Sequence, residues 1–454
     1  MGLVPTESLS AVDSGANSHC VGKLGPIFDL RTALAADDAV TIQYEGRTLQ
    51  ARRGEPLSAA LLRADVLATS RSAKYRRHRG PYCLRGDCGS CHVRIAGEPN
   101  QRACMTLARD GLKIEAQNKW GPAGIDPSGL IDRVFRGGID HHHFMVRPRI
   151  ANDLMQQIAR TMTGFGELPT QPTGAPATGT EHRPEVLVIG AGKAGRAAAC
   201  ALEKAGVEVL TIDRSDRATL EIDGDPLPSG LLCELGVFAT YPREALWAAA
   251  RPSLGGHFDL HLVRPRHVIL ATGARDPTLP IANNDLPGVV SARGLLHLLQ
   301  RCNMKLQAPA VVIGEAADAE ELARGLNAPL FSTDKVRRIT GKHAVTGVEL
   351  HDQELSCRIV ALAPTPAPNH ELAAQAGAPL RFDGHGFAVI TEPGGAVPES
   401  SPADPTTPAI PRPWGLWACG DLCGFRDKQA STAEGKRTAK ALLTALAHAQ
   451  GSSR

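Results

Sequence analysis

Residues 186–195 read Val186-Leu187-Val188-Ile189-Gly190-Ala191-Gly192-Lys193-Ala194-Gly195. Four consecutive apolar residues without a polar face predict a strand buried on both sides, as in a parallel sheet. The strand runs into G-x-G-x-x-G. Gly190 makes the tight turn, Gly192 lets the backbone approach a pyrophosphate, and Gly195 allows the next helix to pack closely on the strand. That helix offers free amides and the positive end of its dipole to an anion. Alone, such a pattern is weak. Here an Ala-rich helix (197–205), a second strand (207–212) and Asp213, an acid placed to bond a ribose hydroxyl, complete a dinucleotide-binding βαβ unit.

Two distant segments narrow the ligand. Residues 267–274 form a strand pattern ending in Ala271-Thr272-Gly273, and residues 414–421 one ending in Gly420-Asp421, followed by a helix from about Ala430 to His448. In two-dinucleotide flavoproteins such segments close the FAD site, with the Asp on the ribityl chain. FAD is therefore favoured over a plain nicotinamide cofactor, with ATP or NAD left as alternatives for the same site. Lys193 and Arg196 on the turn either pair with phosphate or are solvated. A second strand-turn-helix begins at Ala310-Val311-Val312-Ile313-Gly314, but Ala316 and Ala319 replace the later glycines. Glu315 and Asp318 put negative charge where an anion would sit. This degenerate unit is expected to fold and to bind NAD(P) poorly.

Upstream lies Cys83-x4-Cys88-x2-Cys91-x12-Cys104. The order C-x4-C-x2-C…C is the spacing of a plant-type [2Fe–2S] site. Three thiolates reach one small cluster from a tight loop and the fourth arrives from a neighbouring segment. Gly86 and Gly89 let the loop bend and bring amides to the sulfurs. Zinc prefers two short C-x2–4-C pairs and fits less well; inert buried thiols are the remaining alternative. A hairpin (Val40, Ile42 and Tyr44 alternating, a Glu45-Gly46 turn, Leu49 returning) and a short helix (56–62) precede the loop, as a β-grasp ferredoxin-like domain requires. The run 71–80 holds five Lys/Arg, read either as a solvated face or as a docking or flavin-phosphate surface. Weaker candidates are His141-His142-His143, whose side chains diverge in regular structure, and Cys419-x3-Cys423, which lacks redox C-x-x-C spacing. No catalytic acid or base is legible.

The chain has 454 residues, 43% hydrophobic and 21% charged, which suits a folded protein of about three domains. A net charge of +3 and 4% aromatics argue against nucleic-acid binding. No apolar run reaches the roughly 18 residues of a membrane span, and no secretory signal is read at the start. Eleven cysteines, an odd number, point to a reducing, cytoplasmic setting. The expected fold class is α/β plus α+β: a β-grasp [2Fe–2S] domain followed by a two-dinucleotide-binding, Rossmann-like flavoprotein region. The expected division is an irregular tail (1–38), the ferredoxin-like domain (39–116), a helical connector and Pro/Thr/Gly linker (117–184), the FAD domain (185–305 and 393–454) and the degenerate NAD(P)-type domain (306–392). Seven prolines across 393–413 predict a long loop.

These residues resemble one bacterial family. Arg71-Ser72-x-Lys74-Tyr75-x-Arg77-x-Arg79-Gly80, the four-cysteine loop, Asn118-Lys119-Trp120, residues 165–169 (FGELP), the 186–195 turn, 269–273 (ILATG) and 286–289 (LPGV) carry the likeness. It is to the α subunit of heterotetrameric sarcosine oxidase and its relatives in hydrogen cyanide synthase, opine oxidases and dye-linked proline or hydroxyproline dehydrogenases. The resemblance implies that this chain relays electrons. A separate FAD subunit of the D-amino-acid-oxidase type oxidises the amine, and a further flavin, FMN, lies at the subunit interface. The folate-binding region of the sarcosine oxidase α chain is absent, and the segment between Asp213 and Ala271 is short for a complete FAD domain. Two alternatives stand beside the relay: a self-contained FAD-dependent NAD(P)H:acceptor reductase, and a non-catalytic scaffold with vestigial nucleotide sites.

Overall fold

The computed structural model describes residues 26–31, 35–72, 75–119, 150, 179–252, 258–399 and 412–451. The expectations for 120–149 and 151–178, including Trp120, the His141–His143 run and residues 165–169, lie outside the described residues, as do Cys20, Lys74 and residues 400–411.

The N-terminal hairpin forms as its alternation requires. Strands Ala39–Tyr44 and Arg47–Arg52 pair antiparallel with Tyr44 opposite Arg47. Glu45 and Gly46 both take positive φ, 50° and 78°, the geometry that matches a two-residue turn to the twist of its strands. Val40, Ile42 and Tyr44 point inward. Lys113–Ala116, His92–Ile95 and Glu98–Arg102 complete a five-stranded mixed sheet. Helix Leu57–Arg63 buries Leu57, Ala60 and Leu61 against it. Glu55, 1% exposed, is held by Arg63 at 2.5 Å, so its charge is not left alone in the core.

Strand Val186–Ile189 is the centre of a five-stranded parallel sheet. The order is Leu231–Leu232, Val209–Ile212, Val186–Ile189, His267–Leu270, Gly415–Ala418. Both faces are covered, which explains the unbroken apolar runs. Val186, Val188 and Ile269 face a layer with helices Lys193–Lys204 and Lys428–Gly451; Leu187, Ile189, Val268 and Leu270 face Trp247 and Val263. Those two belong to a sheet of Gly236–Tyr241, Leu246–Pro252, Phe258–Val263 and Gly179–His182, three of whose strands lie in the short stretch between Asp213 and Ala271.

A second parallel sheet has the order Val289–Ser291, Ile359–Leu362, Ala310–Ile313, Leu330–Phe331. Helices Ala292–Arg301 and Ala319–Leu326 pack on it. Two expectations need correction. Residues 289–306 belong with this second sheet, not with the first, because Val289–Ser291 hydrogen-bonds to Ile359–Leu362. The tail is not wholly irregular: Phe28–Leu30 pairs antiparallel with Met304–Leu306, and Ile27 and Phe28 are buried in the core beneath helix Ala292–Arg301. Three residues are too few to show a period in sequence.

Candidate functional site

The four expected cluster cysteines come together. Cys91 Sγ lies 3.4 Å from Cys104 Sγ, and Cys88 Sγ accepts the Cys83 amide at 3.5 Å. The four thiols form one chain of contacts, with hydrogen bonds between Cys88 and Cys83, Cys83 and Cys104, and Cys104 and Cys91. Among the described residues, no three His, Cys, Asp or Glu side chains converge on a single ion position. Four cysteines gathered from one tight loop and a neighbouring segment match the ligand set of a [2Fe–2S] cluster. Gly86 and Gly89 adopt φ of 86° and 67°, which side chains rarely tolerate. The resulting turn aims amides at sulfur: Asp87 N and Cys88 N donate to Cys83 Sγ at 3.2 and 3.3 Å, and Ser90 N to Cys88 Sγ at 3.4 Å. Hydrogen bonds from Cys104 and Cys88 hold the Cys83 thiol far below its ordinary range, and the Cys104 bond lowers Cys91. Cys88 and Cys104, the other partners in these bonds, are pushed up, Cys88 first by its bond to Cys83 and Cys104 first by its own bond to Cys83.

The dinucleotide residues also converge, at the C-terminal edge of the first parallel sheet, where open α/β sheets bind ligands. A Cβ at Gly195 would stand 1.9 Å from Gly190 O, and one at Gly190 would stand 2.3 Å from Ala271 O, so these glycines are required by packing. A Cβ at Gly192 meets nothing within 4 Å: its face of the turn opens on free space, as close approach of a pyrophosphate demands. Asp213 accepts Ala191 N at 2.6 Å and Ser215 N at 2.7 Å, leaving lone pairs for a ribose. Thr272 is braced by Asn369, donating to its carbonyl at 2.8 Å and accepting from its amide at 3.1 Å. Gly420 abuts Ala194, and Asp421 Oδ1 accepts Ser431 Oγ at 3.1 Å and Arg426 N at 3.3 Å. Burial raises the Asp421 carboxyl. Both basic residues on the turn have partners within the protein, although Arg196 Nη1 is buried without a hydrogen bond. Lys193 pairs with Asp225 at 2.7 Å and Asp223 at 3.1 Å; Arg196, 5% exposed, donates to Ala191 O and Leu220 O.

In the second unit the carboxylates are already engaged. Asp318 forms an ion pair with Arg293, which also bonds Asp276 at 2.8 Å and Pro364 O at 2.9 Å and lies over the Phe425 ring. Glu315 accepts Thr333 N at 3.0 Å, and Ala316 is buried where Gly192 stands in the first unit. The 71–80 run is not a freely solvated face. Arg76 is 1% exposed, and Arg77 and Arg79 both reach Asp285 at 3.2 Å. A cavity of about 250 Å³ lined by Arg71, Arg79, Cys88, Ser90, His92 and Asn118 lies beside it, against the exposed side of the cysteine loop.

Sequence reading missed what joins these parts. Arg214 donates to Asp87 at 2.5 Å across 127 positions. Ser291 N donates to Tyr82 O at 2.9 Å, and Gly294 in helix Ala292–Arg301 is pressed on Cys83 O. No local signal could have revealed contacts so distant in sequence.

The model of the 2Fe-2S iron-sulfur cluster binding domain family matches residues 37–119. The sarcosine oxidase subunit alpha of Rhizobium meliloti is 27% identical over 301 residues, covering 58% of this chain and 30% of that one. The hydrogen cyanide synthase subunit HcnA of Pseudomonas aeruginosa is 30% identical over 90 residues, covering 20% of this chain and 84% of its own length. The L-proline dehydrogenase of P. horikoshii superposes with a TM-score of 0.64 at 19% identity, over 90% of this chain and 74% of that one, a likeness of fold. Fold and cysteine loop together define an iron–sulfur protein, a 2Fe–2S domain joined to Rossmann-like nucleotide units. The chain belongs to the sarcosine oxidase α-type family, in which an N-terminal 2Fe–2S domain is fused to a flavoprotein region. Its match spans less than a third of the sarcosine oxidase subunit's length.

Proposed function

We propose that this chain is the electron-transfer, α-type subunit of a flavin- and [2Fe–2S]-dependent amine or amino-acid dehydrogenase or oxidase complex. In this reading Cys83, Cys88, Cys91 and Cys104 hold the cluster. Gly190, Gly192 and Gly195 seat the pyrophosphate of FAD, Asp213 takes the adenosine ribose, and Ala271, Thr272, Gly273, Gly420 and Asp421 close the flavin side. When bound, the flavin accepts electrons in pairs and the cluster passes them singly. The chain's own residues hold the two sites together. The observation that carries the reading is the direct Arg214–Asp87 contact, which fastens the cysteine loop to the edge of the sheet that bears the dinucleotide turn. We assign residues 39–116 to the ferredoxin-like domain, 185–275 with 412–451 to the FAD domain, and 289–362 to the degenerate unit.

The partner in this proposal is a D-amino-acid-oxidase-type FAD subunit that oxidises the substrate, with FMN at the shared interface. The setting is reducing and cytoplasmic, in keeping with ten free cysteines among the described residues. Among those residues, no helix is long and apolar enough to cross a membrane. The self-contained reductase is disfavoured because Arg293 and Thr333 already occupy Asp318 and Glu315 at the second turn. The test is the visible spectrum of the anaerobically purified chain before and after dithionite. Cluster bands with a flavin envelope, both bleaching, are the expected result. A colourless chain would overturn the proposal in favour of a scaffold, and bleaching by NADH alone would favour the reductase.

A further inference from the structure

Asp87 sits between two cluster cysteines, and its side chain is only 6% exposed. A carboxylate so placed is costly unless it is paired. It also sets an extra negative charge beside thiolates whose cluster gains a further negative charge on reduction. Its backbone amide donates to Cys83 Sγ at 3.2 Å, so the position of this residue governs one of the hydrogen bonds that tune the cluster. The recorded partner of its carboxylate is Arg214, at 2.5 Å on Oδ1; Oδ2 is buried without a hydrogen bond. Arg214 directly follows Asp213, whose carboxylate turns the other way, onto the nucleotide turn. Burial works against the Arg214 charge, but the Asp87 carboxylate, then Asp213 and the Cys83 thiolate, outweigh it and raise the guanidinium's pKa. From within the ferredoxin-like sheet, Arg102 also holds the loop, donating to Gly86 O at 2.7 Å.

We propose that Arg214 is a positioning residue that sets the reduction potential of the cluster from the neighbouring nucleotide unit. Its guanidinium cancels the Asp87 charge and holds the Asp87 amide on Cys83 Sγ, and both effects favour the reduced cluster. The inference rests on the four cysteines carrying a [2Fe–2S] cluster.

The test is a potentiometric measurement of the full, anaerobically purified chain, following the electron paramagnetic resonance signal of the reduced cluster. Arg214→Gln should shift the potential negative and Asp87→Asn should shift it positive. The double variant should return toward the wild type, and Arg214→Lys, which keeps the charge, should stay near it. A purely structural clamp predicts the same direction for both single variants, because each breaks the same ion pair. That result, or no shift in either, overturns the proposal. If Arg214→Gln fails to retain cluster, Arg214→Lys and Asp87→Asn decide: a near-wild-type lysine variant with a positive asparagine shift supports it, and any other pair of results overturns it. A wild-type chain without cluster absorption would fail the underlying assignment instead, so the two failures are distinguishable.

Discussion

Replacing Gly294 by Ala tests how the cluster loop is seated. In an isolated helix the exchange stabilises by up to about 1 kcal/mol, since Gly is the poorer helix former. Here a Cβ would stand 2.1 Å from Cys83 O and 2.9 Å from the carbonyl carbon. Carbon-to-oxygen contacts settle near 3.3 Å, so helix and loop must part by about 1 Å. The obstructing atoms are backbone and cannot rotate away. Overpacking of this kind costs about 1–3 kcal/mol, which against the propensity gain leaves a net loss of up to about 2 kcal/mol. Because the displaced carbonyl belongs to a cluster cysteine, the cluster's visible circular dichroism and iron content should change with stability. Gly325→Ala is the control. It lies in helix Ala319–Leu326, and its Cβ would meet the Leu296 side chain at 3.0 Å, a flexible group that can turn aside. That variant should be neutral or more stable. Thermal unfolding and iron content of both variants decide the matter. If Gly294→Ala keeps the full spectrum and is at least as stable as Gly325→Ala, the proposed seating of the loop is wrong.

Gly192→Val should sharply reduce bound flavin, measured as absorbance per chain, because its side chain enters the open space above the turn. It should cost the flavin-free chain no more than about 1 kcal/mol: a first side-chain carbon meets nothing within 4 Å, and Gly192 is the N-cap of helix Lys193–Lys204, where valine caps less well than glycine. His297, half-buried near Arg85, has its pKa lowered to about 4, first by desolvation and then by that arginine. Its folded value lies below its unfolded one, so its contribution is fully present above about pH 6.5 and is lost as the pH falls toward and through about 4, by at most about 3 kcal/mol. Denaturant unfolding across that range should show a shallower acid loss for His297→Gln than for the wild type; equal slopes would refute the assignment. NADH should not bind the second unit: calorimetry on the full chain is expected to show no heat attributable to it, and a micromolar site whose affinity Asp318→Lys changes would prove otherwise.

Much of this protein is local and was therefore legible. The positions of the two strand-turn-helix units follow from short apolar runs ending in glycine. The hairpin at Glu45-Gly46 follows from alternation and a turn pair that accepts positive φ. The four cysteines follow from a spacing that only a tight loop satisfies, and Asp213, Ala271–Gly273 and Gly420–Asp421 from their places at strand ends. Each of these signals lies within one short stretch, the longest being the cysteine motif from Cys83 to Cys104, so sequence carries it whole.

What the tertiary structure alone decided is how those pieces meet. Strand Val289–Ser291 is apolar enough for either sheet, and pairing with Ile359–Leu362 assigned it to the second. Phe28–Leu30 gains its strand from Met304–Leu306, far along the chain. Lys193 and Arg196 look like phosphate ligands in the motif, yet nearer partners (two aspartates for one, two backbone carbonyls for the other) hold them within the protein. Arg214 and Gly294 carry no motif, because their meaning lies in Asp87 and Cys83. Sequence determines the chemistry of each element, since that chemistry depends on neighbours a few bonds away. The coupling of the cysteine loop to the nucleotide edge depends on charge pairing and close packing between segments more than a hundred residues apart, and only the folded chain brings them into range.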